Sequence, residues 1–321
     1  MERRAVGDSG LQVSRLGLGT LTWGRDVQPT QARALLRRFV EAGGSLVDTA
    51  AAYGNGEAER IIGRLIHTDL TRDDVVIATK AGFGVRDGAR VVDTSRTALL
   101  DDLAGSLRRL HTDHVDLWQL HAWGSAPLEE SLGAIDHAVS TGMVRYAGVS
   151  NFVGWQTAQA ATWQSAFPGR TRIVSSQVEY SLLARRAEVE VIPAVRAFDL
   201  GLFPWSPLGR GVLAGRYRSA VPRDSRGGQP HFAWFVEPYL EQRSRAVVDA
   251  VATAADGLDL SCAQVALLWV RDAPAVTSPL IGPRTVDQLE QLLETEELVL
   301  PGEIVSALDD VSGGPNAGRL G

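Results

Sequence analysis

Eight strand-like runs alternate with helix-like segments along this chain, and that alternation limits the folds it can adopt. The strand candidates are Leu16–Leu18, Leu46–Asp48, Val75–Thr79, Val115–Leu120, Val144–Ser150, Ile173–Gln177, Leu202–Trp205 and Val276–Ile281. The helix candidates are Thr30–Ala42, Glu57–Ile66, Arg96–Leu110, Leu128–Thr141, Trp155–Phe167, Val189–Phe198, Tyr239–Ala255 and Ala263–Arg271. Interleaved strands and helices indicate a parallel α/β sheet, and the count of strands favours a closed (β/α)8 barrel, the TIM barrel, over an open sheet.

Two segments fall outside this repeat. Met1–Ser14 is predicted to form two short strands joined at Gly7-Asp8-Ser9-Gly10, an N-terminal β-hairpin that caps the bottom of the barrel. Arg218–Pro238 is predicted to be a long loop, and its aromatic residues favour a cover over a site, with a mobile tip as the alternative. Because no linker-like composition interrupts the chain, residues 1–321 are predicted to form one domain.

Composition excludes several classes of function. A net charge of −6 argues against nucleic acid as the main partner, because binding to phosphates needs clustered basic surface. The single cysteine, Cys262, rules out an internal disulfide and fits a reducing compartment. No apolar stretch approaches the roughly 20 residues that cross a bilayer, and Met1–Asp8 lacks the apolar core of a secretory signal. We therefore expect a cytoplasmic protein with no membrane partner.

Four residues that can hold or move a proton follow the second, third and fourth strand candidates. They are Asp48 and Tyr53 after the second, Lys80 after the third and His121 after the fourth. In a parallel barrel the carboxyl ends of all strands lie on one face, where active sites are built. The barrel would therefore bring these four side chains together.

Together the four residues could act on a carbonyl group. A free tyrosine has a pKa of about 10, and a neighbouring ammonium group is expected to lower it by favouring the phenolate. Lys80 would supply that charge, Asp48 would fix the lysine, and Tyr53 would then serve as the proton donor. His121 would donate a hydrogen bond that orients the carbonyl oxygen.

Each residue has another interpretation when it is taken alone. Tyr53 could be a packing residue, Lys80 could be exposed or form a Schiff base as in a barrel aldolase, and His121 could bind a metal. The remaining histidines and Cys262 have no convincing metal-ligand spacing, so no metal is predicted. Only the joint occurrence of the four favours the carbonyl chemistry.

A nucleotide would have to bind without either common fingerprint, since the chain has no Gly-x-Gly-x-x-Gly after a strand and no Walker loop. A barrel can hold phosphates with the loops after its seventh and eighth strands. Those loops read Ser206-Pro207-Leu208-Gly209-Arg210-Gly211 and Gly282-Pro283-Arg284-Thr285, and the second opens a predicted helix over Val286–Leu293. Arg216 and Arg226 could add positive charge.

The chain resembles the aldo-keto reductases over nearly its whole length. The motifs that carry the resemblance are Gly17-Leu18-Gly19-Thr20, Asp48–Gly54, Thr79-Lys80, Asp113–His121, Gly148–Phe152, Ser176–Tyr180 and Trp205–Gly211. The resemblance implies that Tyr53 is the general acid, that Lys80 and Asp48 tune it, and that His121 orients the carbonyl.

The same resemblance implies a cofactor site for NADPH. Ser150, Asn151 and Gln177 match residues that bind the nicotinamide carboxamide, and Trp205 matches an aromatic that stacks on its ring. Arg284 and Gln288 match contacts to the 2′-phosphate and adenine, and Gly19 and Thr20 are expected to line the same site. The chain departs from the family at Leu292, where an asparagine is common, and at Pro283, where a small residue is common.

The expected reaction is reduction of an aldehyde or ketone by NADPH. Trp23 and Trp123 are the predicted substrate contacts, and Phe83, Trp234 and Phe235 are further candidates from neighbouring loops. Similarity to potassium-channel β subunits keeps a second function open, namely an NADPH-binding regulatory subunit with little turnover. The sequence leaves both a monomer and a homo-oligomer open.

Overall fold

The computed structural model describes residues 1–86, 89–218, 220–223, 225 and 227–313. The strands within these residues are β1 Arg3–Ala5, β2 Gln12–Ser14, β3 Gly17–Gly19, β4 Leu46–Asp48, β5 Val76–Ala81, β6 Phe83–Arg86, β7 Ala89–Val92, β8 Val115–Leu120, β9 Val144–Ser150, β10 Ile173–Glu179, β11 Gly201–Trp205 and β12 Leu280–Ile281. The helices are α1 Pro29–Glu41, α2 Glu57–Thr68, α3 Arg96–Leu110, α4 Leu128–Ser140, α5 Gly154–Ser165, α6 Val191–Ala197, α7 Ala233–Val236, α8 Gln242–Leu258, α9 Cys262–Arg271, α10 Val286–Leu293 and α11 Gly302–Ser312.

Eight of the strands form a closed parallel barrel with helices between them. The order around the barrel is β3, β4, β5, β8, β9, β10, β11 and β12, and β12 pairs with β3 to close it. This confirms the predicted TIM barrel, and the strand ends agree with the prediction to within a few residues. The eighth strand is shorter than predicted, because only Leu280–Ile281 pair and Val276 makes an isolated bridge to Leu202.

The local sequence explains how the first helix packs on the barrel. Pro29 occupies the first turn of α1, where its missing N–H costs no hydrogen bond. Ala32, Leu35, Leu36 and Phe39 recur at helical spacing and are buried against the sheet. After the helix, Gly43 takes a φ of +83°, and a side chain at Gly44 would collide with the ring of Phe39. The turn into β4 therefore needs both glycines.

The N-terminal hairpin closes the bottom of the barrel, as predicted. β1 and β2 pair antiparallel, and the hairpin residues Val6, Leu11 and Val13 pack on barrel residues that include Leu46, Leu117 and Phe203. The Ser14 hydroxyl accepts hydrogen bonds from the backbone N–H groups of Ser45, at 2.8 Å, and Leu46, at 3.3 Å. The hairpin thus satisfies backbone groups at the start of β4 as well as covering apolar side chains.

Four strands and helices in the described part of the chain were not predicted from the sequence. The strands β6 and β7 form an antiparallel hairpin after β5, and α11 follows the last barrel helix. The short helix α7 lies inside the segment that was predicted to be an irregular loop. Both β6–β7 and α7 lie beside the site described next.

Candidate active site

The four predicted proton-handling residues meet at the carboxyl ends of the strands. Asp48 ends β4, Lys80 lies near the end of β5, and His121 directly follows β8, while Tyr53 lies in a short 3-10 turn after β4. The Lys80 Nζ donates to Asp48 Oδ1 at 2.8 Å, to Asp48 Oδ2 at 2.7 Å and to the hydroxyl of Tyr53 at 3.4 Å. The rings of Tyr53 and His121 contact edge to face, with centroids 5.9 Å apart. One barrel end therefore holds all four.

Lys80 and Asp48 form an ion pair that is shielded from water. The side chain of Lys80 has no exposed surface and that of Asp48 is 4% exposed. Burial is the largest single influence and by itself would lower the pKa of Lys80, but the charge of Asp48, the Tyr53 oxygen and the hydrogen bonds to both together outweigh it, so the pKa of the lysine is raised. Gln177 donates to Asp48 Oδ1 at 2.8 Å, and the carbonyl of Thr49 accepts from Lys80 at 2.8 Å. The lysine is therefore held as an ammonium group.

His121 is held in its neutral form. Burial, and secondarily the charge of Lys80, lowers the pKa of His121 to about 3. Its Nδ1 is buried without a hydrogen-bond partner in the part of the chain that the structure describes, and the residue lines the cavity that contains Tyr53. A neutral imidazole with its proton on Nε2 would leave Nδ1 as the unpaired acceptor and would present a donor to the cavity.

The pKa of Tyr53 differs from the sequence-based expectation. Burial raises the pKa of the Tyr53 hydroxyl and outweighs the opposite effect of Lys80. The expectation considered only the neighbouring ammonium group, whereas burial opposes ionisation of the hydroxyl more strongly than the ammonium group favours it. The net result is a fully protonated phenol next to a cation that stabilises the phenolate after proton transfer.

A cavity of about 730 Å³ extends from these residues across the top of the barrel. Most of the predicted site residues line it: Gly19, Thr20, Asp48, Tyr53, His121, Asn151, Gln177, Trp205, Ser206, Pro207, Leu208, Arg210, Gly211, Arg216, Gly282, Arg284 and Gln288. Pro283 and Leu292, the two departures from the family pattern, line it as well. Its volume lies within the range of small-molecule sites.

The residues that were predicted to contact the carboxamide and the ring of nicotinamide include a hydrogen-bonded group. The Trp205 indole N–H donates to Asn151 Oδ1 at 3.0 Å, and the Asn151 side chain donates to the carbonyl of His121 at 2.9 Å. Asn151 adopts a φ of +58°, which turns the chain at the end of β9. Ser150 does not line the cavity; it is fully buried, and its hydroxyl accepts from Asn151 at 3.2 Å.

The two predicted phosphate loops differ in how their arginines are engaged. Arg284 opens the turn into α10, where its backbone N–H donates to the Gln288 side chain and Thr285 caps the helix. Arg210 instead forms a two-pronged ion pair with Glu179, at 2.7 Å for each contact. Gly209 and Thr285 do not line the cavity. Arg226 lies outside the described residues.

Comparison with known proteins agrees with this arrangement. The family model described as "Aldo/keto reductase family" matches residues 15–312. The chain belongs to the aldo/keto reductase family. This confirms the resemblance seen in the sequence, and members of the family generally use NAD(P)H and act on small carbonyl substrates.

Three relatives of this aldo/keto reductase are informative. An "Uncharacterized oxidoreductase YrpG" of Bacillus subtilis (strain 168) is 36% identical, over 98% of this chain and 97% of the relative. A "Probable voltage-gated potassium channel subunit beta" of Oryza sativa subsp. japonica is 33% identical, over 97% and 96%. The "Aldo-keto reductase YhdN" of B. subtilis (strain 168) is 30% identical, over 94% and 91%. The first and third of these names support an oxidoreductase.

The two tryptophans that were predicted to contact substrate are not brought onto the cavity wall of this aldo/keto reductase. Trp23 is fully buried in the main hydrophobic core. Trp123 packs edge to face on Phe152 and Trp155, with ring centroids 5.1 Å away in both cases. The indoles are large enough that packing decides their positions, and the sequence alone does not give that packing. The further candidates Phe83, Trp234 and Phe235 do line the cavity.

Several lining residues were missed by sequence reasoning. Arg25, Arg90 and Phe232 line the outer cavity, where Arg25 stacks on Phe232 at 4.2 Å and Arg90 on Trp234 at 4.0 Å, measured to the ring centroids. His231 also lines it and contacts Asp26 at 2.9 Å. A usable signal existed for Arg90, because Asp87-Gly88 between two short strand-like runs is typical of a tight hairpin.

Two further observations concern other kinds of site. Among the described residues, no group of three or more His, Cys, Asp and Glu side chains is placed to hold a metal ion. Within the same residues, no one helix has the length and apolar character needed to cross a bilayer. Only α8 and α9 taken together meet those criteria, and they are bent by 101° relative to each other.

Proposed function

We propose that this aldo/keto reductase reduces the carbonyl group of a small aldehyde or ketone to an alcohol with NADPH, and that Tyr53 is the general acid. The observation that carries the proposal is the contact of 3.4 Å between the Tyr53 hydroxyl and the buried Lys80 ammonium, beside a neutral His121 in one cavity. An acid with this partner can release its proton to an oxygen that gains negative charge, because the phenolate left behind is stabilised.

The residues around the cavity suit a nicotinamide dinucleotide. Asn151 and Gln177 offer amide groups beside Tyr53, and Trp205 offers a flat apolar ring. Elsewhere on the cavity wall, Arg284 and the N-terminus of α10 offer a cation and backbone N–H groups suited to phosphate. When bound, NADPH would supply the hydride that no side chain of the protein can provide. The preference for NADPH over NADH would come from Arg284, for which a bare ribose hydroxyl offers no comparable partner.

Within this proposal the protein's own groups have distinct tasks. His121 donates a hydrogen bond to the carbonyl oxygen and orients it, Tyr53 protonates that oxygen, and Lys80 stabilises the resulting phenolate. Asp48 holds Lys80 in place, and Gln177 in turn bonds to Asp48. The aromatic side chains of Phe83, Trp234 and Phe235 form an apolar wall on which the rest of the substrate would pack.

A Schiff-base aldolase is disfavoured by the state of Lys80. A lysine that attacks a carbonyl must be neutral and accessible, whereas Lys80 is fully buried and its ammonium group donates to Asp48, the Thr49 carbonyl and Tyr53. The negative charge of Asp48 also raises the pKa of Lys80 despite burial, which keeps the amine protonated.

The test is an NADPH-oxidation assay across aldehydes, ketones and keto-sugars with the wild-type protein and Tyr53→Phe. We expect turnover with part of the panel and a loss of about 10²–10⁴-fold in kcat for the variant, the range of general acid catalysis. NADPH binding, followed by quenching of tryptophan fluorescence, should be nearly unchanged in the variant. Turnover of the variant at the wild-type rate would show that Tyr53 is not the acid.

A second candidate is favoured by the names of two plant relatives, each a probable potassium channel β subunit. In that case the protein would bind NADPH and act as a regulatory subunit with little turnover. Tight NADPH binding combined with no oxidation across the whole panel would favour this candidate over the enzyme.

A further inference from the structure

Residues 232–239 form an aromatic wall on one side of the cavity. The wall comprises α7 and the 3-10 turn Glu237–Tyr239, and it contributes the lining residues Phe232, Trp234 and Phe235. The ring of Phe235 stacks on Trp205, with centroids 6.3 Å apart and planes inclined by 20°. The wall therefore touches the residue expected to support the nicotinamide.

Arg210 holds this wall at three points. One of its terminal nitrogens donates to the carbonyl of Phe235 at 2.5 Å. Its guanidinium carbon lies 3.9 Å from the ring centroid of Phe235 and 4.8 Å from that of Tyr239. A guanidinium group can stack on aromatic rings and donate in its own plane at the same time. Arg210 thus binds the backbone and two side chains of the wall.

Glu179 links the same arginine to the barrel. Its two carboxylate oxygens accept from Nε and a terminal nitrogen of Arg210 at 2.7 Å each, in the fork geometry that makes such pairs strong. The side chains are only 15% and 19% exposed, so solvent screens them less than an ordinary surface pair. Glu179 is the last residue of β10 and lies two positions after Gln177, which bonds to Asp48. The wall is therefore tied to the strand that supports the catalytic cluster.

We propose that Arg210 and Glu179 anchor the aromatic wall, residues 232–239, over Trp205, and that Arg210 is a positioning residue instead of a ligand for a cofactor phosphate. This deepens the proposed function and, for its effect on cofactor binding, rests on it. The Glu179 carboxylate already neutralises the guanidinium, which leaves little net charge to attract a phosphate. The left-handed backbone at Arg210, with a φ of +58°, is a conformation that costs free energy and that the anchor would help to maintain.

The first experiment measures the wall directly in the free protein by hydrogen–deuterium exchange of peptides that cover residues 229–240. The reporters are the amides of Phe235 and Val236, which bond to the carbonyl of Phe232. We expect Arg210→Met and Glu179→Gln each to speed exchange there by at least about tenfold, because either change removes the anchor. The matched control is Arg218→Met, which breaks an exposed ion pair with Asp249 and should leave the exchange unchanged. Unchanged exchange in both anchor variants, with melting temperatures showing that they are folded, would overturn the proposal.

The second experiment asks whether Glu179→Gln weakens or tightens NADPH binding, because an anchor and a phosphate ligand predict opposite changes. If Arg210 is an anchor, Arg210→Met and Glu179→Gln weaken NADPH and NADH binding in the same direction and by similar factors. If Arg210 binds phosphate, Glu179→Gln releases the guanidinium group and tightens NADPH binding, while Arg210→Met weakens it. Tighter binding by Glu179→Gln would overturn the proposal. A wild-type protein that binds neither cofactor would contradict the proposed function, while the exchange experiment would still decide whether the anchor exists.

Discussion

The two ends of the barrel are built from the same strands and yet have opposite chemistry. At the bottom, Leu46 of β4, Ala78 of β5 and Phe203 of β11 are buried together under the N-terminal hairpin. Two residues further along the same strands, about 6.6 Å higher, stand Asp48, Lys80 and Trp205. Side chains two residues apart on a strand point to the same side of the sheet. On each of these strands, one such side chain therefore packs in the core and the next belongs to the candidate site. The lower layer stabilises the fold and the upper layer carries the site.

The two ends also differ in what they contribute to the free energy of folding. Burial of apolar side chains at the bottom contributes favourable free energy with little geometric demand. The upper layer buries a charged pair, whose desolvation offsets much of its mutual attraction. Such a pair is weak evidence for stability, and its position beside Tyr53 points to a task at the site. Substitutions at the two ends should therefore separate stability from activity.

The largest expected effect is that of Lys80→Met at the upper layer. Among the described residues, the change leaves the buried Asp48 carboxylate with Gln177 as its one side-chain partner, which should lower the free energy of unfolding by about 3–5 kcal/mol. It should also lower kcat by orders of magnitude, because the phenolate of Tyr53 loses its cation. Urea denaturation and the NADPH-oxidation assay measure the two losses.

The double variant Asp48→Asn/Lys80→Met provides the control. Without a buried charge it should recover most of the lost stability and none of the lost turnover. Recovery of turnover in the double variant would mean that the ion pair has no role in the reaction.

Phe203→Ala should have the next largest effect, on stability alone. Removing a buried ring from the lower layer should cost about 3–5 kcal/mol of unfolding free energy. The value of kcat, measured where the variant is folded, should stay close to that of the wild type, since Phe203 does not line the cavity. Phe203→Leu, which leaves a smaller void, should be milder. A fall in kcat as large as that of Lys80→Met would break the separation between the two ends.

The lowered pKa of His121 predicts that the protein loses stability in acid. This pKa is lowered from the usual 6.5 to about 3 by burial, so the unfolded chain takes up a proton below pH 6.5 that the folded chain refuses. The protein should therefore lose stability as the pH falls from 6.5 towards 3, by about 2 kcal/mol at pH 5 from this residue alone. His121→Gln should remove that part of the acid sensitivity, whereas the exposed His137→Gln should retain it. Denaturant titrations at pH 7 and pH 5 make the comparison, and equal acid sensitivity of wild type and His121→Gln would contradict it.

The upper layer was more predictable from sequence than the wall above it. Asp48, Lys80 and His121 could be placed because parallel strands bring their carboxyl ends together wherever the strands pair. The partner of Arg210 could not be placed, because Glu179 is 31 residues away and a phosphate loop and an ion pair need the same residue type. Trp23 and Trp123 failed to reach the cavity for a related reason, since side-chain packing decides which aromatic residues face it. The direction in which the pKa of Tyr53 is shifted could not be predicted either, because it depends on how deeply the hydroxyl is buried, and neighbouring residue types do not reveal that.

Arg284→Ala tests the loop that opens α10 at the upper end of the barrel. Loss of a charge-assisted contact to the 2′-phosphate should weaken NADPH binding by roughly 10–100-fold while NADH binding changes little. Some preference for phosphate should remain, because the backbone N–H groups at the start of α10 are unchanged. Fluorescence titrations with both cofactors measure the two affinities, and the difference between them should shrink with added salt.

Gln288→Leu is the matched control. It removes the acceptor of the Arg284 backbone N–H but keeps the guanidinium group, and it should weaken the binding of both cofactors together. Equal losses for NADPH and NADH in Arg284→Ala would show that Arg284 shapes the turn without recognising the 2′-phosphate.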